Sequence, residues 1–453
     1  MQAVRRLAGL GSLLIVVALA PACGDAPDGV EEEQQQGGRQ KPQPDPVPGE
    51  TLFYSADGRQ GTPSPGGEDD GAAAPEDGGL DTDGGAGGSG GERTVEEGDV
   101  YRAFGTGRLL NLNAYRGLQV IDVANLSAPS IVGRLEMSGT PVELYVSGNT
   151  AYVLMNDWRS YWGARGDVQV DTWNGGVVLS VDLSDPANPV VIDRELVPGW
   201  IYKSRLVKGG GQEALYVVSQ EYGYVTAGGS SSWTTTTKVK SFGIASGQLT
   251  AASELDLGGW ISDIAATPEA LLVARHDWQD NSGRSLVSII DISDPAGTMI
   301  EGDEIRVEGL VRNQFNMDLR GNVLRVVSGR TWNGGANANH LEIFDATDLH
   351  NLVRIDHDTF GENEDLFATL FLDNAGFFVT YFRTDPFHAF EITDAGQATE
   401  KSEFVVSGWN DFFRPVFGDR RLVGIGMNDE TGRAVAVSLY DITDLTNPDP
   451  LVA

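Results

Sequence analysis

An all-β chain, built as seven four-stranded units after a disordered acidic linker, is what this sequence predicts, and three observations predict it. An Asp-centred turn that follows an apolar run recurs at Asp122, Asp182, Asp291, Asp345 and Asp441, with Gly243 and Glu391 at the equivalent place in two degenerate copies. The seven copies stand 46 to 61 residues apart. Upstream of the turns lie paired β-rich runs about a tight turn, as in "VELYVSGNTAYVLM" (142–155), "LRGNVLRVVS" (319–328) and "LDNAGFFVTY" (372–381), a strong hairpin signal. Nothing from residue 99 onward reads as a long amphipathic helix. Repetition at about 50 residues, four strands per unit and no helix together describe a β-propeller.

Residues 1–22 read as an export signal. Arg5 and Arg6 form a positive start, and Leu7 to Ala20 form an apolar run of about 14 residues. A membrane span needs about 20, whereas a signal core is shorter. The run leads into Ala20-Pro21-Ala22-Cys23, which resembles a bacterial lipobox, where the cysteine is acylated and becomes the mature N-terminus. Pro21 is an unusual occupant of its position, and an ordinary signal peptide leaving a free thiol is the competing reading. Cys23 is the only cysteine in the chain and stands where lipidation needs it. The expected address is therefore a bacterial cell envelope, lipid-anchored at the outer membrane or the cell surface.

Residues 23–98 read as a tether. Gly24 to Gly98 is mostly Gly, Pro, Asp, Glu, Gln and Ser, with 18 acids against 4 bases. So little apolar surface cannot offset the entropy of ordering, and like charges extend the chain. Glu68-Asp69-Asp70 and Asp81-Thr82-Asp83-Gly84 lack the spacing and the closing glutamate of a calcium loop, so a solvated linker is the better reading.

Residues 99–453 hold the repeats, and their parts have physical reasons. Val-Ile-Asp-Val and Ile-Ile-Asp-Ile are β-branched and apolar, as strands covered on both faces are. Ser-Asp-Pro-Ala-Asn-Pro ends the ladder, because proline lacks an N–H and Asp or Asn side chains nucleate turns. The recurrent Asp is expected to accept hydrogen bonds from turn amides rather than to do chemistry. The last strand, from Asp449 to Ala453, is short, and closure of the ring is expected to call on another segment, with Thr51 to Ala56 the candidate.

"TVEEGDVYRAFGTGRLLNLN", the turns "VIDVANLSAP" and "SVDLSDPANP", and "FFVTYFRTDPFHAFEIT" followed by "RLVGIGMND" occur in this order. On these residues the region from about 95 to 453 resembles the secreted bacterial β-propeller proteins with LVIVD-type repeats. The resemblance implies a secreted or surface propeller and brings no catalytic residues with it.

Composition narrows the function. A formal charge of −33 repels phosphate backbones, so nucleic acid is an unfavourable partner. One cysteine excludes a disulfide scaffold and any Cys-built zinc site. His276, His340, His350, His357 and His388 show no helical H-x-x-x-H spacing, and there is no G-x-S-x-G elbow or Walker loop. His350 and His357 near Asp356 and Asp358 read as solvated. No catalytic residue, metal ligand or cofactor is expected.

The tryptophans carry the binding hypothesis. Trp158 and Trp173 fall in the first long insertion between second and third strands, and Trp278 and Trp332 in corresponding later insertions. Trp200, Trp260 and Trp409 each follow a glycine at the start of a first strand, and for these three a wedge between neighbouring blades is a better reading than a binding contact. These seven, with Trp162 and Trp233 in the same set of insertions, are expected on or near one face, with Trp158, Trp173, Trp278 and Trp332 solvent-accessible around a single opening. The leading expectation is a surface-tethered binding or scaffold module for a protein, peptide or glycan. The alternative is an extracellular polymer-degrading hydrolase or lyase using acidic residues in top-face loops.

Overall fold

A computed structural model describes residues 93–452, apart from short segments at 165–166, 173–174, 228–229, 277–282, 332–336, 382–384, 407–408, 419, 429–433 and 447–448. The signal segment, Cys23, Thr51 to Ala56 and nearly all of the tether lie outside the described residues. A leading strand, β1 (Thr94–Glu97), precedes seven antiparallel blades. Blade 1 is β2 (Tyr101–Ala103), β3 (Arg108–Asn113), β4 (Gly117–Asp122) and β5 (Ser130–Leu135). Blade 2 is β6 (Ser138–Ser147), β7 (Thr150–Ala164), the short β8 (Asp167–Thr172), β9 (Gly176–Asp182) and β10 (Val190–Val197). Blade 3 is β11 (Trp200–Gly209), β12 (Gln212–Ala227), β13 (Ser230–Ala245) and β14 (Gln248–Gly258). Blade 4 is β15 (Trp260–Ala266), β16 (Ala270–His276), β17 (Ser285–Asp291) and β18 (Ile300–Arg306).

Blade 5 is β19 (Met317–Arg320), β20 (Val323–Ser328), β21 (Asn339–Asp345) and β22 (Val353–Phe360). Blade 6 is β23 (Asp365–Leu372), β24 (Ala375–Tyr381), β25 (Asp385–Ile392) and β26 (Ala398–Val406). Blade 7 is β27 (Trp409–Val416), β28 (Arg421–Asn428), β29 (Ala434–Asp441) and β30 (Asp449–Val452). Among the described residues the only helical piece is a 3-10 turn, Gln314–Asn316, and no helix is long and apolar enough to cross a membrane. The sequence-based expectation of seven four-stranded blades holds.

First strands of successive blades touch (β2 with β6, β6 with β11, β11 with β15, β15 with β19, β23 with β27), so they line the centre. The side where first strands begin, which also carries the turns between second and third strands, is the top. The middle strands are covered on both faces, as their β-branched sequences require. Every residue from Gly176 to Val181 is buried, and so is every residue from Ala270 to Arg275. Six apolar clusters join neighbouring blades in series, from blades 1 and 2 through to blades 6 and 7.

The recurrent aspartates do what their position suggests. The Oδ1 atoms of Asp122, Asp182, Asp291, Asp345 and Asp441 accept the amides of Ala124, Ser184, Ser293, Thr347 and Thr443 at 2.8–3.0 Å. These turn contacts, the residue-184, 347 and 443 hydroxyls first, hold the Asp182, Asp345 and Asp441 carboxyls below the usual range. A second set of polar contacts was not legible as a repeat. Asp193 Oδ2 accepts from Leu249 N (2.7 Å), Ser253 Oγ from Met299 N (3.0 Å), Asp303 Oδ2 from Leu352 N (2.7 Å) and Asp356 Oδ2 from Ala398 N (2.6 Å). Ser402 Oγ donates to Leu445 O (2.7 Å). Each latches one blade's outer strand to the start of the next blade's outer strand or to the turn just before it.

The folded domain begins earlier than the composition boundary at residue 98. β1 runs antiparallel to β11, with Thr94 opposite Lys208 and Glu97 opposite Arg205, and so adds a fifth strand to the central edge of blade 3. Four residues, two of them acidic, carry too little pattern to read as a strand. Basic partners on β11 hold them: Lys208 Nζ lies 2.7 Å from Glu96 Oε1, and Arg205 3.4 Å from Glu97 Oε1.

Candidate functional site

Two of the expected tryptophans form an exposed aromatic surface. Gly199 (φ +74°) and Gly259 (φ +91°) turn the chain into β11 and β15, which is why a ring-bearing Trp200 and Trp260 can begin those strands. Trp200 pairs with Gln220, and two residues further along β12 stands Tyr222. Tyr222 meets the Trp260 ring edge-on, with centroids 5.5 Å apart. Trp200, Gln220, Glu221, Tyr222, Gly175 and Gly199 line an open groove of about 540 Å³. Trp200 (42% exposed), Tyr222 (54%) and Trp260 (39%) are half-open to solvent on the top of blades 3 and 4. Gln220 Oε1 accepts Ile261 N (2.9 Å) and Tyr202 Oη donates to Ser262 O (2.8 Å), so this surface rests on tied blades.

Trp158 corrects the sequence reading, because it is buried. The insertion is not a loop at that point. β7 runs on past its blade, and Trp158 lies in the blade 1–blade 2 cluster with Phe104, Met137 and Met155. The Arg194 guanidinium covers its ring at 5.0 Å. Trp173, Trp278 and Trp332 lie outside the described residues, and Trp409 begins β27 with its side chain outside them too. Tyr222 was missed by attention to tryptophan alone.

The channel mouth holds the kind of perturbed carboxylate that an enzyme would need, but it is committed elsewhere. Burial raises the Asp263 carboxyl above its usual range, while Lys203 Nζ at 3.1 Å opposes the shift. Asp263 also accepts the amides of Ile264 (2.8 Å) and Gln314 (2.9 Å). Buried Arg205 donates to Ser204 O (2.7 Å), Ile264 O (3.1 Å) and the Gln314 side chain. Gln314 Nε2 donates to Glu97 Oε2 (3.1 Å), tying the network to β1. This is a seal across blades 3 and 4.

A second concavity, of about 620 Å³, opens between blades 5 and 6. Arg284, Glu308, Asn337, His340, Glu362 and Glu403 are among its lining residues, and His388 and Glu400 form part of its wall. His388 stands opposite Glu403 in the β25–β26 ladder, and a bulge between Ala389 and Phe390 turns Glu400 toward the same group. His388 is buried (1% exposed) against the Phe360 ring, with centroids 5.0 Å apart. Its Nδ1 lies 2.7 Å from Glu400 Oε1, and its Nε2 lies 3.1 Å from Thr380 Oγ1. Thr380 Oγ1 in turn donates to Glu364 Oε2 at 2.6 Å. Spacing along the chain carries no sign of this group, because its members come from three strands and a bulge. His340 and His357, read as solvated or unassigned, face each other at 3.1 Å instead.

Residues 91–236 and 222–452 match the family described as a β-propeller domain. An uncharacterised protein of Archaeoglobus fulgidus is 28% identical over 142 residues, covering 31% of this chain and 21% of that protein. An uncharacterised protein of Methanocaldococcus jannaschii is 28% identical over 145 residues, covering 32% and 22%. The chain thus spans about a fifth of the length of these curated relatives. Among solved structures, a functionally unknown protein from Desulfotomaculum acetoxidans aligns with TM-score 0.40 and 11% identity over 73% of this chain and 90% of its own. A putative 6-phosphogluconolactonase from Bacteroides fragilis aligns with TM-score 0.40 and 10% identity over 80% and 94%. Likeness of that degree carries no argument about activity. The two family matches together run from residue 91 to 452, and the chain belongs to the β-propeller domain family.

Proposed function

We propose that this propeller is a binding module held at the cell envelope by a lipid on Cys23, with the aromatic surface of blades 3 and 4 as its contact face for a protein, peptide or glycan. One observation carries the reading: the exposed group Trp200, Tyr222 and Trp260 stands on the top face, whereas Arg93, the first described residue, lies at the bottom. Arg93 donates to Ile292 O and Ser293 O, both at 2.9 Å, in the turn between third and fourth strands of blade 4, which is the bottom face. From there β1 climbs along β11 toward the top. A domain tethered from below presents its upper aromatics outward. Such rings offer broad apolar area with polar edges, and aromatics dominate binding hot spots. The hydrolase alternative has less behind it, since Asp263 is held by Lys203 and two amides.

A photo-reactive residue placed at Tyr222 in whole cells should cross-link to an envelope component, whereas one placed at Gly210 on the bottom face should not. Trp200→Ala together with Trp260→Ala should abolish the adduct without loss of folded protein. Equal adducts from both faces, or an adduct untouched by the double substitution, would refute the contact face. In the same cells Cys23→Ser should release the protein from membranes, because two or three acyl chains at about 0.8 kcal/mol per buried CH₂ supply the anchor.

A further inference from the structure

We propose that His388, Glu400 and Glu403 bind a divalent cation of the zinc class in the crevice between blades 5 and 6. The hydrogen bonds around His388 determine what its inner nitrogen offers. Thr380 has one hydroxyl proton, and at 2.6 Å from a carboxylate oxygen that proton goes to Glu364. The Thr380 oxygen is therefore the acceptor for His388 Nε2, which carries a hydrogen. In the neutral imidazole the lone pair then sits on Nδ1, aimed at Glu400. A lone pair and a carboxylate at 2.7 Å repel unless something positive lies between or beside them. The positive species is a proton or a metal ion, and three further observations favour the metal.

The first is geometric. One donor atom from each of His388, Glu400 and Glu403 lies within 4.8 Å of the others. Zinc bonds to imidazole and carboxylate are about 2.0–2.2 Å, so ligand atoms in a tetrahedral site sit about 3.3–3.6 Å apart. Glu400 and Glu403 are both exposed, and rotation of their side chains brings the three donors to that spacing. The buried histidine supplies a fixed point, and its Nε2–H···Thr380···Glu364 chain is the outer support that zinc-binding histidines usually have.

The second is charge. In blade 4 the acid near the same level, Glu304, is neutralised by Arg275, with Ser288 in the position of His388. In blade 5 that position is Glu342, and Arg354 neutralises it at 2.9 Å. Blade 6 has two glutamates there, and among the described residues neither forms an ion pair with an arginine or lysine. The two preceding blades each set an arginine beside the acid at this level, whereas blade 6 sets a buried histidine beside two glutamates.

The third is access. Three protein ligands leave coordination positions open, and these face the crevice. His340 lines the same crevice with an enclosed Nε2 that has no hydrogen-bond partner. An open zinc position beside Arg284 and His340 is suited to a water or to an anionic ligand.

The test is titration of the full-length protein in detergent, stripped with chelator, using ZnCl₂ in the presence of excess Mg²⁺ to occupy the acidic tether. One tight equivalent is expected in calorimetry. Glu403→Gln, an exposed change that leaves the fold alone, should weaken it at least tenfold. Thr380→Val should weaken it by roughly 10–100-fold through loss of histidine orientation. Co²⁺ in place of Zn²⁺ should give a visible d–d spectrum more intense than that of the hydrated ion, and Glu403→Gln should remove it. Absence of tight binding would overturn the proposal and leave a proton between His388 and Glu400. Binding of equal strength in wild type and Glu403→Gln would overturn it as well, by placing the ion elsewhere.

Discussion

Blade 4 and blade 7 are built from the same four-strand pattern, yet among the described residues one is covered on both faces and the other on one. In blade 4 the second strand is buried from Ala270 to Arg275. In blade 7 Leu422 and Tyr440 are buried against blade 6, while Ile425 (42% exposed), Val435 (75%) and Val437 (58%) on the opposite face meet solvent. Among the described residues no apolar cluster joins blade 7 to blade 1. The latch differs in the same sense. Asp303 reaches from blade 4 to blade 5, whereas the corresponding place on β30 is Val452, which has no polar group to offer. Strand identity is therefore local, but the worth of an apolar residue depends on whether a neighbouring blade stands over it.

The largest expected effect comes from a covered position. Phe242 is fully buried in the cluster between blades 2 and 3. Phe242→Ala should cost about 3–5 kcal/mol, as truncation of a core aromatic does. Denaturant unfolding of the full chain measures it, and a loss below about 1 kcal/mol would mean that the covered blades are no better packed than blade 7.

The covered blades also enclose titratable groups. Burial first, and then the Arg312 charge, pull the His276 imidazole in blade 4 down to about 4. The unfolded value is near 6.5, so from pH 6.5 down to about 4 the unfolded chain binds a proton that the folded one excludes. Stability from this group is complete above pH 6.5 and is lost as pH falls toward 4, by at most about 3 kcal/mol. Unfolding free energy at pH 7.5 and pH 4.5 should therefore change less in His276→Gln than in wild type. An identical pH response in the two proteins would show that His276 is not enclosed.

Much of this was legible beforehand, and the failures are specific. The Asp-centred turns, the hairpins at 142–155, 319–328 and 372–381, and the blade count depend on local chemistry, and all appear where the sequence places them. Trp158 was misplaced because a run of polar and small residues such as Arg159 and Ser160 reads as loop, while the backbone continues the β7 ladder. β1 was missed because its reason lies about 110 residues away, in Arg205 and Lys208. The His388 group was invisible for the same cause: cross-strand register and a bulge, neither encoded in spacing, bring it together.

The latch gives a smaller and more pointed test. Asp303 Oδ1 accepts from Glu304 N (2.8 Å) and Oδ2 from Leu352 N (2.7 Å), so one carboxylate serves two backbone amides across a blade boundary. Asp303→Ala should cost about 1–2 kcal/mol, similar to the loss of a capping carboxylate. Asp303→Asn, which keeps an acceptor, should cost less. If alanine and asparagine behave alike, the latch contributes nothing beyond the clusters.

The smallest effect belongs to the uncovered face of blade 7. Val437 lies on β29 opposite Ile425, and both side chains are more than a third exposed. Replacing an apolar group that is already in water removes little burial, so Val437→Ser should change stability by no more than about 0.5 kcal/mol. Its cross-strand contact with Ile425 and its β-branched shape account for that remainder. The same change in a covered strand, Val153→Ser, would leave a cavity and an unsatisfied hydroxyl, and should cost several times more. The contrast between the two valines measures coverage directly, since strand position and chemistry are held alike. Were Val437→Ser to cost as much as Val153→Ser, something would have to cover blade 7 in solution. Hydrogen exchange at Ile425 and Val437 would then be slowed alongside that of the central blades, and the two regions would cease to differ.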